Sequence, residues 1–450
     1  MHAYFIGIGG MGMSAIAKIL HEEGFAVAGS DRNTEGDFCK RLAAEGIKIY
    51  PQDGSGIEAF MRDKSLSSEE IVAVKSGAVE AKVSDVIKAT ELGIKQMMRS
   101  DLLAKLFNEK KGIAVAGTAG KTTVTGIIAW LLKEGGLDPS CASGGIIKEF
   151  DTNAFAGKGE YFVIEADESD GSIVKYFPEI AILTNIYKDH KPIEELAELF
   201  STFLEQTSGK KIVCCDDPEA AKLAEKYSAV TCRTSGKADF LATDIIEAQD
   251  FTSFKCNGVD FKTSLRGLHN VRNILVAVAA AYFAGVSLEQ SAKAISSFSG
   301  MNRRFEFVGE ARGVQVIDDF AHNPVEIAMA IETARKMSDQ LFCIYQPHGF
   351  GPARFTKDEL IEVFASLKKG EKLYVDDIYY GGGTVTKDIS SEELVKEARK
   401  ISDRVFYLPS SEAVAKEIVS EAKTGAIVLV MGARDINAIC GDILKRLKKG

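Results

Sequence analysis

Short apolar runs alternate with amphipathic stretches along this chain, and the pattern restarts three times. The first start is the run 4–8, followed by glycines and a helix expected over about 13–23. The second is 113–116, followed by glycines and a helix expected over 122–134. The third is 314–317, with later strands expected at 341–345, 373–375, 405–408 and 426–431. Apolar runs of strand length feeding helical periodicity predict βα units and parallel sheets, an α/β fold class. Polar junctions lie at 108–112 and 296–304, so boundaries are expected near 110 and 302. A chain of 450 residues exceeds one hydrophobic core, which agrees with several domains.

Composition narrows the class. Apolar residues make up 46% and charged residues 26%, the profile of a folded globular chain. The net charge of −9 argues against a general nucleic-acid binder. No apolar run approaches a membrane span, and no secretory leader is expected at the N-terminus. The eight cysteines show no CxxC spacing, which fits a reducing cytoplasm better than a disulfide or zinc framework.

Chemistry enters at the glycine loops. Residues 113–125 read Ile-Ala-Val-Ala-Gly-Thr-Ala-Gly-Lys-Thr-Thr-Val-Thr, a strand entering a glycine loop that enters a helix. Such a loop turns backbone N–H groups onto phosphate oxygens, and the helix N-terminus adds positive partial charge. Gly117, Thr118, Ala119, Gly120, Lys121, Thr122 and Thr123 are therefore candidate triphosphate ligands. Lys121 would meet the β and γ phosphates, and Thr122 would offer its hydroxyl to magnesium. The glycine usual five positions before Gly120 is replaced by Val115, a shortened variant of the loop. The competing reading is an ordinary βα turn.

Downstream, the run 161–164 ends in Glu165, Asp167, Glu168 and Asp170. Like charges bunched at a strand end suit a divalent cation, although a solvated acidic loop would read the same. The next strand, 180–184, leads to His190, a candidate metal ligand or a structural histidine. At the front, 7–12 read Gly-Ile-Gly-Gly-Met-Gly between strand and helix, and Ser30–Asp31 follow about twenty residues on. Alone, this fingerprint would suit NAD or FAD. Beside a triphosphate loop it suits a second nucleotide, such as a sugar nucleotide.

Taken in order, the motifs resemble the Mur ligase family, which builds the peptide of bacterial cell-wall precursors. They are GIGGMGMSAIA (7–17), GSD (29–31), MMRSDLLAKL (97–106), GTAGKTT (117–123), EADESD (165–170), NIYKDH (185–190), DDP (216–218), GLHNVRN (267–273), NRRF (302–305), IDDFAHNP (317–324), QPH (346–348) and MGARDI (431–436). The resemblance spans nearly the whole chain. It implies a Rossmann-like UDP-sugar domain (1–109), a P-loop ATPase-like central domain (110–301) and a Rossmann-like amino-acid domain (302–450).

It also implies roles. Gly9, Gly10, Met11, Gly12, Ser30 and Asp31 would serve the UDP-sugar. Thr122, Glu168 and His190 would hold magnesium. His269, Asn270, Asn273, Arg304 and Asp319 would face ATP, and His322 and His348 the amino-acid side. Lys121, Glu168, His190, His322 and His348 would be the catalytic set, with the base left open among the three histidines. The implied activity is ATP-dependent addition of alanine to UDP-N-acetylmuramate, by a monomer or homodimer. The alternatives are a ligase that attaches a whole tripeptide to the same sugar nucleotide, or one using another amino acid. An oxidoreductase and an inactive UDP-sugar-binding partner are the readings from other classes.

The chain departs from the family pattern in places. Phe320 and Asn323 stand where Tyr and His are expected. The segment 349–354 lacks an arginine expected after QPH, Ala119 replaces His or Asp, and Arg434 replaces a glycine. The stretch 194–207 has no lysine to carry a carbamate. The changes at 320, 323 and 349–354 gather in the third domain, around the expected amino-acid pocket.

Overall fold

The computed structural model describes residues 2–169, 171–189, 191–380, 386–408 and 410–449. Contacts group the chain into two compact units. One is Met1–Asn185 with Ala197–Leu241 and Ile274–Phe298; the other is Ile186–Leu196 with Ala242–Asn273 and Ser299–Gly450.

The first unit opens with a five-stranded parallel sheet of order β3-β2-β1-β4-β5. Its strands are β1 (His2–Ile6), β2 (Val27–Asp31), β3 (Lys48–Pro51), β4 (Ile71–Lys75) and β5 (Lys95–Met98). The first strand ends two residues before the expected 8, because Gly7 takes φ +81° and turns the chain into the helix Met11–Glu22.

The same unit carries β6 (Lys111–Ala116), β7 (Ser140–Ile147), β8 (Thr152–Phe155), β9 (Tyr161–Glu165), β10 (Ile180–Leu183), β11 (Lys210–Cys214) and β12 (Val230–Arg233). They lie in the order β12-β11-β10-β6-β9-β7-β8. Because β10, β6 and β9 are parallel neighbours, their carboxyl ends deliver three loops to one edge. The helix Lys121–Glu134 packs beside them with Val124, Ile127, Ile128, Leu131 and Leu132 fully buried. Each such side chain contributes about 1.5–3 kcal/mol by leaving water, so the helix that follows the glycine loop is firmly seated. Gly112 is required beneath it, since a Cβ there would stand 2.2 Å from the Phe107 ring.

The expectation of parallel pairing throughout is corrected at the sheet margins. β8 runs antiparallel to β7. β13 (Phe240–Glu247), β14 (Thr252–Cys256) and β15 (Val259–Thr263) form an antiparallel meander. The β14–β15 turn is Asn257–Gly258 with φ of +49° and +89°, the backbone that tight two-residue hairpins need.

The second unit holds a six-stranded sheet of order β16-β17-β21-β18-β19-β20. These are β16 (Glu306–Ala311), β17 (Val314–Asp319), β18 (Leu341–Tyr345), β19 (Glu371–Val375), β20 (Val405–Tyr407) and β21 (Ile427–Met431). All pairs are parallel except β16–β17, joined by Arg312–Gly313 at φ +54° and +73°. Alternate residues pack on opposite faces: Leu341, Cys343 and Tyr345 join one core, Phe342 and Ile344 the other. Burial on both faces is why these strands read as unbroken apolar runs. All eight cysteines are buried, and among the described residues none is joined in a disulfide. Among the described residues, no helix is long and apolar enough to cross a membrane.

Candidate active site

The loop 117–120 is held from the end of β10. Gly117 (φ +127°) passes so close to Thr184 that a Cβ would lie 2.1 Å from its Oγ1. The Ala119 N–H donates to Asn185 Oδ1 at 2.9 Å, while Asn185 Nδ2 and Thr184 Oγ1 donate to the Ala119 carbonyl at 2.9 and 2.7 Å. Thr118 N donates to the Asn185 carbonyl at 3.2 Å. Gly120 (φ +87°) is the N-cap of the next helix, with no side chain capping it. Thr122 and Thr123 are buried in its first turn.

Lys121 folds back over this loop. Its Nζ donates to the Gly117 carbonyl at 2.6 Å, to Thr118 O at 3.3 Å and to the Glu168 carboxylate at 3.0 and 3.1 Å. Burial would lower the ammonium's pKa, but the charges of Glu168, Asp167 and Glu165 outweigh it and hold Lys121 above its ordinary value. Burial raises the Glu168 carboxyl, against the pull of Lys121.

The described acids at the end of β9 each have a hydrogen-bond partner of their own. Glu165 Oε1 accepts from the Gly144 N–H at 2.7 Å, Asp167 Oδ1 from Ser169 N at 2.9 Å, and Glu168 meets Lys121. Among the described residues no three His, Cys, Asp or Glu side chains group to hold a metal. Asp170 and His190 lie outside the described residues. The buried Thr122 hydroxyl and Glu168 carboxylate are hard oxygen donors of the kind magnesium prefers.

At the front loop, Asp31 is turned inward. Its Oδ2 accepts from Gly9 N at 2.9 Å and its Oδ1 from Asn33 N at 2.9 Å. Gly9 is forced, because a Cβ would lie 2.7 Å from Cys39 Sγ. Ser30 is fully buried, with its carbonyl accepting from Gly7 N and Ile8 N at 2.8 and 2.9 Å. Gly10 and Met11 are exposed, and the Met11 carbonyl takes Asn153 Nδ2 at 3.0 Å. Gly12 faces Arg99, whose Nη1 would be 3.1 Å from a Cβ there. Arg99 also exerts a charge on Asp167, a link that the sequence motifs alone left unassigned.

In the second unit the expected adenine-side residues divide. Asn273 Nδ2 donates to Asn270 Oδ1 at 3.2 Å, and Asn270 Nδ2 to the Arg266 carbonyl at 2.8 Å. His269 instead lines a largely apolar cavity of about 560 Å³ with Leu268, Met329 and Thr333, in which neither asparagine takes part. Burial, then Arg272 and Lys336, push its pKa down to about 4, so the ring is neutral.

The loops after β17, β21, β18 and β19 leave the same sheet edge. Asp319 Oδ2 and Oδ1 accept from Phe305 N and Ala321 N, each at 2.7 Å. Burial, against Arg304 and these amides, lifts its pKa to about 6. Arg304 lies 3.8 Å from Glu326 and 4.9 Å above the Phe320 ring. His322 Nδ1 sits 3.2 Å from Glu326 Oε2, and its ring packs edge-on to His348 at 6.2 Å. Burial opposes the His322 cation, but Glu326, then Asp189, outweigh it and raise its pKa. Burial likewise would raise Glu326, yet His322 and Arg304 bring it down to about 2. Asn323 caps the next helix through Glu326 N at 2.9 Å and donates to Asp189 at 3.3 Å. The segment after QPH forms the short helix Phe350–Phe355, and Arg354 is bound outward by Asp388 and the Thr386 carbonyl. Glu326, the third residue of the helix that Asn323 caps and Pro324 opens, was a residue that sequence reasoning passed over; its i, i+4 spacing from His322 was the available signal.

Comparison with known proteins agrees with this architecture. Three family models match in order: "Mur ligase family, catalytic domain" over 2–111, "Mur ligase middle domain" over 115–281, and "Mur ligase, glutamate ligase domain" over 303–434. A UDP-N-acetylmuramate–L-alanine ligase of Carboxydothermus hydrogenoformans is 35% identical, covering 97% of this chain and 94% of that protein. One from Pelotomaculum thermopropionicum is 34% identical over 100% of this chain and 98% of its own. The solved UDP-N-acetylmuramate-alanine ligase of Thermotoga maritima superposes with a TM-score of 0.78 at 24% identity, over 100% of this chain and 99% of that one. A murein peptide ligase from Psychrobacter arcticus gives 0.69 at 25%, over 100% and 99%.

Proposed function

Because this chain belongs to the Mur ligase family, we propose that it joins L-alanine to UDP-N-acetylmuramate, cleaving ATP to ADP and phosphate, in peptidoglycan precursor synthesis. The observation that carries this reading is the full-length similarity to ligases of that activity. The site geometry supports it.

In this reading the segments 1–109, 110–301 and 302–450 serve the UDP-sugar, ATP and the amino acid in turn. The sugar's carboxylate is a poor acyl donor, since its charge repels an amine and no good leaving group is present. Its oxygen attacks the γ phosphorus, ADP leaves, and an acyl phosphate forms. The alanine amine then attacks the acyl carbon, loses a proton, and phosphate departs. Lys121 is already folded over the glycine loop, where its ammonium counters charge on the β and γ oxygens. The loop 117–120 is fixed by Thr184 and Asn185, and the first-turn N–H groups of the helix it enters, at 121–123, hold the phosphates. Thr122 and Glu168, with His190, would hold magnesium, which when bound neutralises phosphate oxygens. Gly9, Gly10, Met11, Gly12, Ser30 and Asp31 shape the UDP-sugar loop, with Asp31 acting chiefly by fixing Gly9. Asn270, Asn273, Arg304 and Asp319 serve the nucleotide, while His269 lines an apolar cavity in which neither asparagine takes part. His348 is the better candidate for the amine's base than His322, whose protonated form Glu326 favours. The setting is the cytoplasm, and the enzyme acts as a monomer or homodimer.

One observation favours a second reading, a tripeptide acceptor. The segment after QPH is a short helix with Gly351, Pro352 and Ala353 at its centre; its arginine is bound to Asp388, and a Cβ at Gly351 would meet nothing within 4 Å. Phosphate release with UDP-N-acetylmuramate, ATP, magnesium and either L-alanine or L-Ala-γ-D-Glu-meso-diaminopimelate separates the two. Release with alanine alone supports the proposal; release only with tripeptide overturns it.

A further inference from the structure

β18 and β21 are parallel neighbours in register at Tyr345 and Met431, so the chain leaves both at the same edge. The departing segments are tied together: Gln346 N donates to the Met431 carbonyl at 3.0 Å. Gly432 is fixed at φ +149°, where a Cβ would lie 2.9 Å from Ile436 Cγ2 and 3.2 Å from Gln346 O. Its N–H donates to Asp319 O at 3.0 Å, and its carbonyl takes Arg303 Nη2 at 2.6 Å. The stem that carries Arg434 is therefore rigid.

From this stem the Arg434 guanidinium lies 5.4 Å from the centroid of the Tyr379 ring. That ring stacks on His348 at 5.8 Å, and their backbones are tied by Gly349 N to Tyr379 O and Tyr379 N to Pro347 O. His348 in turn packs on His322. The neighbouring arginines are committed elsewhere: Arg303 to Asp318, Arg304 beside Glu326, Arg354 to Asp388. Arg434 is exposed and makes no ion pair among the described residues. A guanidinium laid on a ring keeps its N–H edge free for a two-toothed bond to a carboxylate. The chain thus lacks the arginine expected after QPH, carries one where glycine is expected at 434, and places the two segments side by side.

We propose that Arg434 is a substrate-binding residue that anchors the α-carboxylate of the incoming amino acid, with Tyr379 holding its guanidinium in place. This rests on the reading of the chain as an amino-acid-adding ligase. Anchored there, the amino acid presents its amine toward the His348 and His322 side of the same edge.

The test uses the full-length enzyme with UDP-N-acetylmuramate, ATP and magnesium, and compares L-alanine with L-alaninamide, which lacks the carboxylate. The wild type should prefer L-alanine. In Arg434→Ala the KM for L-alanine should rise about 10–100-fold, the scale of a lost charge-assisted pair. Its KM for ATP and for the UDP-sugar should stay unchanged, which also shows that the fold is intact. The preference for L-alanine over the amide should collapse in this variant, and Arg434→Lys should recover part of it. An unchanged preference in Arg434→Ala, with the wild type active on L-alanine, overturns the inference alone. A wild type that releases no phosphate with L-alanine overturns the ligase reading, and this inference with it.

Discussion

The Glu326 carboxylate accepts the backbone amide of His322 at 3.2 Å and lies 3.2 Å from its ring Nδ1. The Phe320 carbonyl lies at 3.2 Å from the same nitrogen, so Nδ1 carries a proton. With Asp189 and Arg304 as the other charges facing the ring, Glu326 decides its state.

Replacing Glu326 with Gln keeps the shape and removes the charge. His322, raised above its ordinary 6.5, stabilises the fold fully below that pH and loses the effect as pH rises through its folded value. Glu326, lowered from 4.5 to about 2, stabilises fully above 4.5 and loses the effect as pH falls toward 2. The stability gap between wild type and Glu326→Gln should thus be widest between those ordinary values, at about 1–3 kcal/mol. It should narrow above neutrality. Urea unfolding at several pH values measures it, and a gap independent of pH would refute the charged pair.

Lys121→Ala should lower kcat about 10²–10³-fold, the scale of one removed transition-state contact. Phosphate release at saturating substrates reads it. Retained turnover would remove Lys121 from the chemistry.

Asn185 is expected to matter through the loop it clamps. Asn185→Ala loses both side-chain bonds to Ala119. The KM for ATP should rise about tenfold, within the free energy of two lost hydrogen bonds. The KM for the UDP-sugar should not move, and a nucleotide titration checks this separately.

Arg354 provides the contrast to Arg434. Bound to Asp388 at the surface, it should contribute under about 1 kcal/mol to stability. Arg354→Ala should leave the KM for L-alanine within about twofold, since such a change is well below 1.4 kcal/mol. A larger rise would mean that Arg354 leaves Asp388 to reach substrate.

The parts of the fold that the sequence made legible are those whose local signal matches their setting. Strands β6, β18 and β21 read as unbroken apolar runs because both of their faces are buried. The glycine loops were legible because Gly117 and Gly9 each sit where a Cβ has no room. The antiparallel margins were missed, although Asn257–Gly258 and Arg312–Gly313 are the paired positive-φ turns that mark hairpins. In the site, pairings between distant positions were beyond local pattern. Asp31 on Gly9, Glu168 on Lys121 and Asn323 on Asp189 arise only when separate strand ends meet. His269 shows the converse, since one step along a helix turned it away from Asn270 and into an apolar cavity.

The central claim is an acyl phosphate formed on the sugar's carboxylate. UDP-N-acetylmuramate labelled with ¹⁸O in that carboxylate tests it directly, because the attacking oxygen leaves with phosphate when the amine displaces it. With ATP, magnesium and L-alanine, mass spectrometry of the released phosphate should show one carboxylate-derived ¹⁸O per turnover. Phosphate released without label would show that ATP is cleaved by water, and would contradict the account.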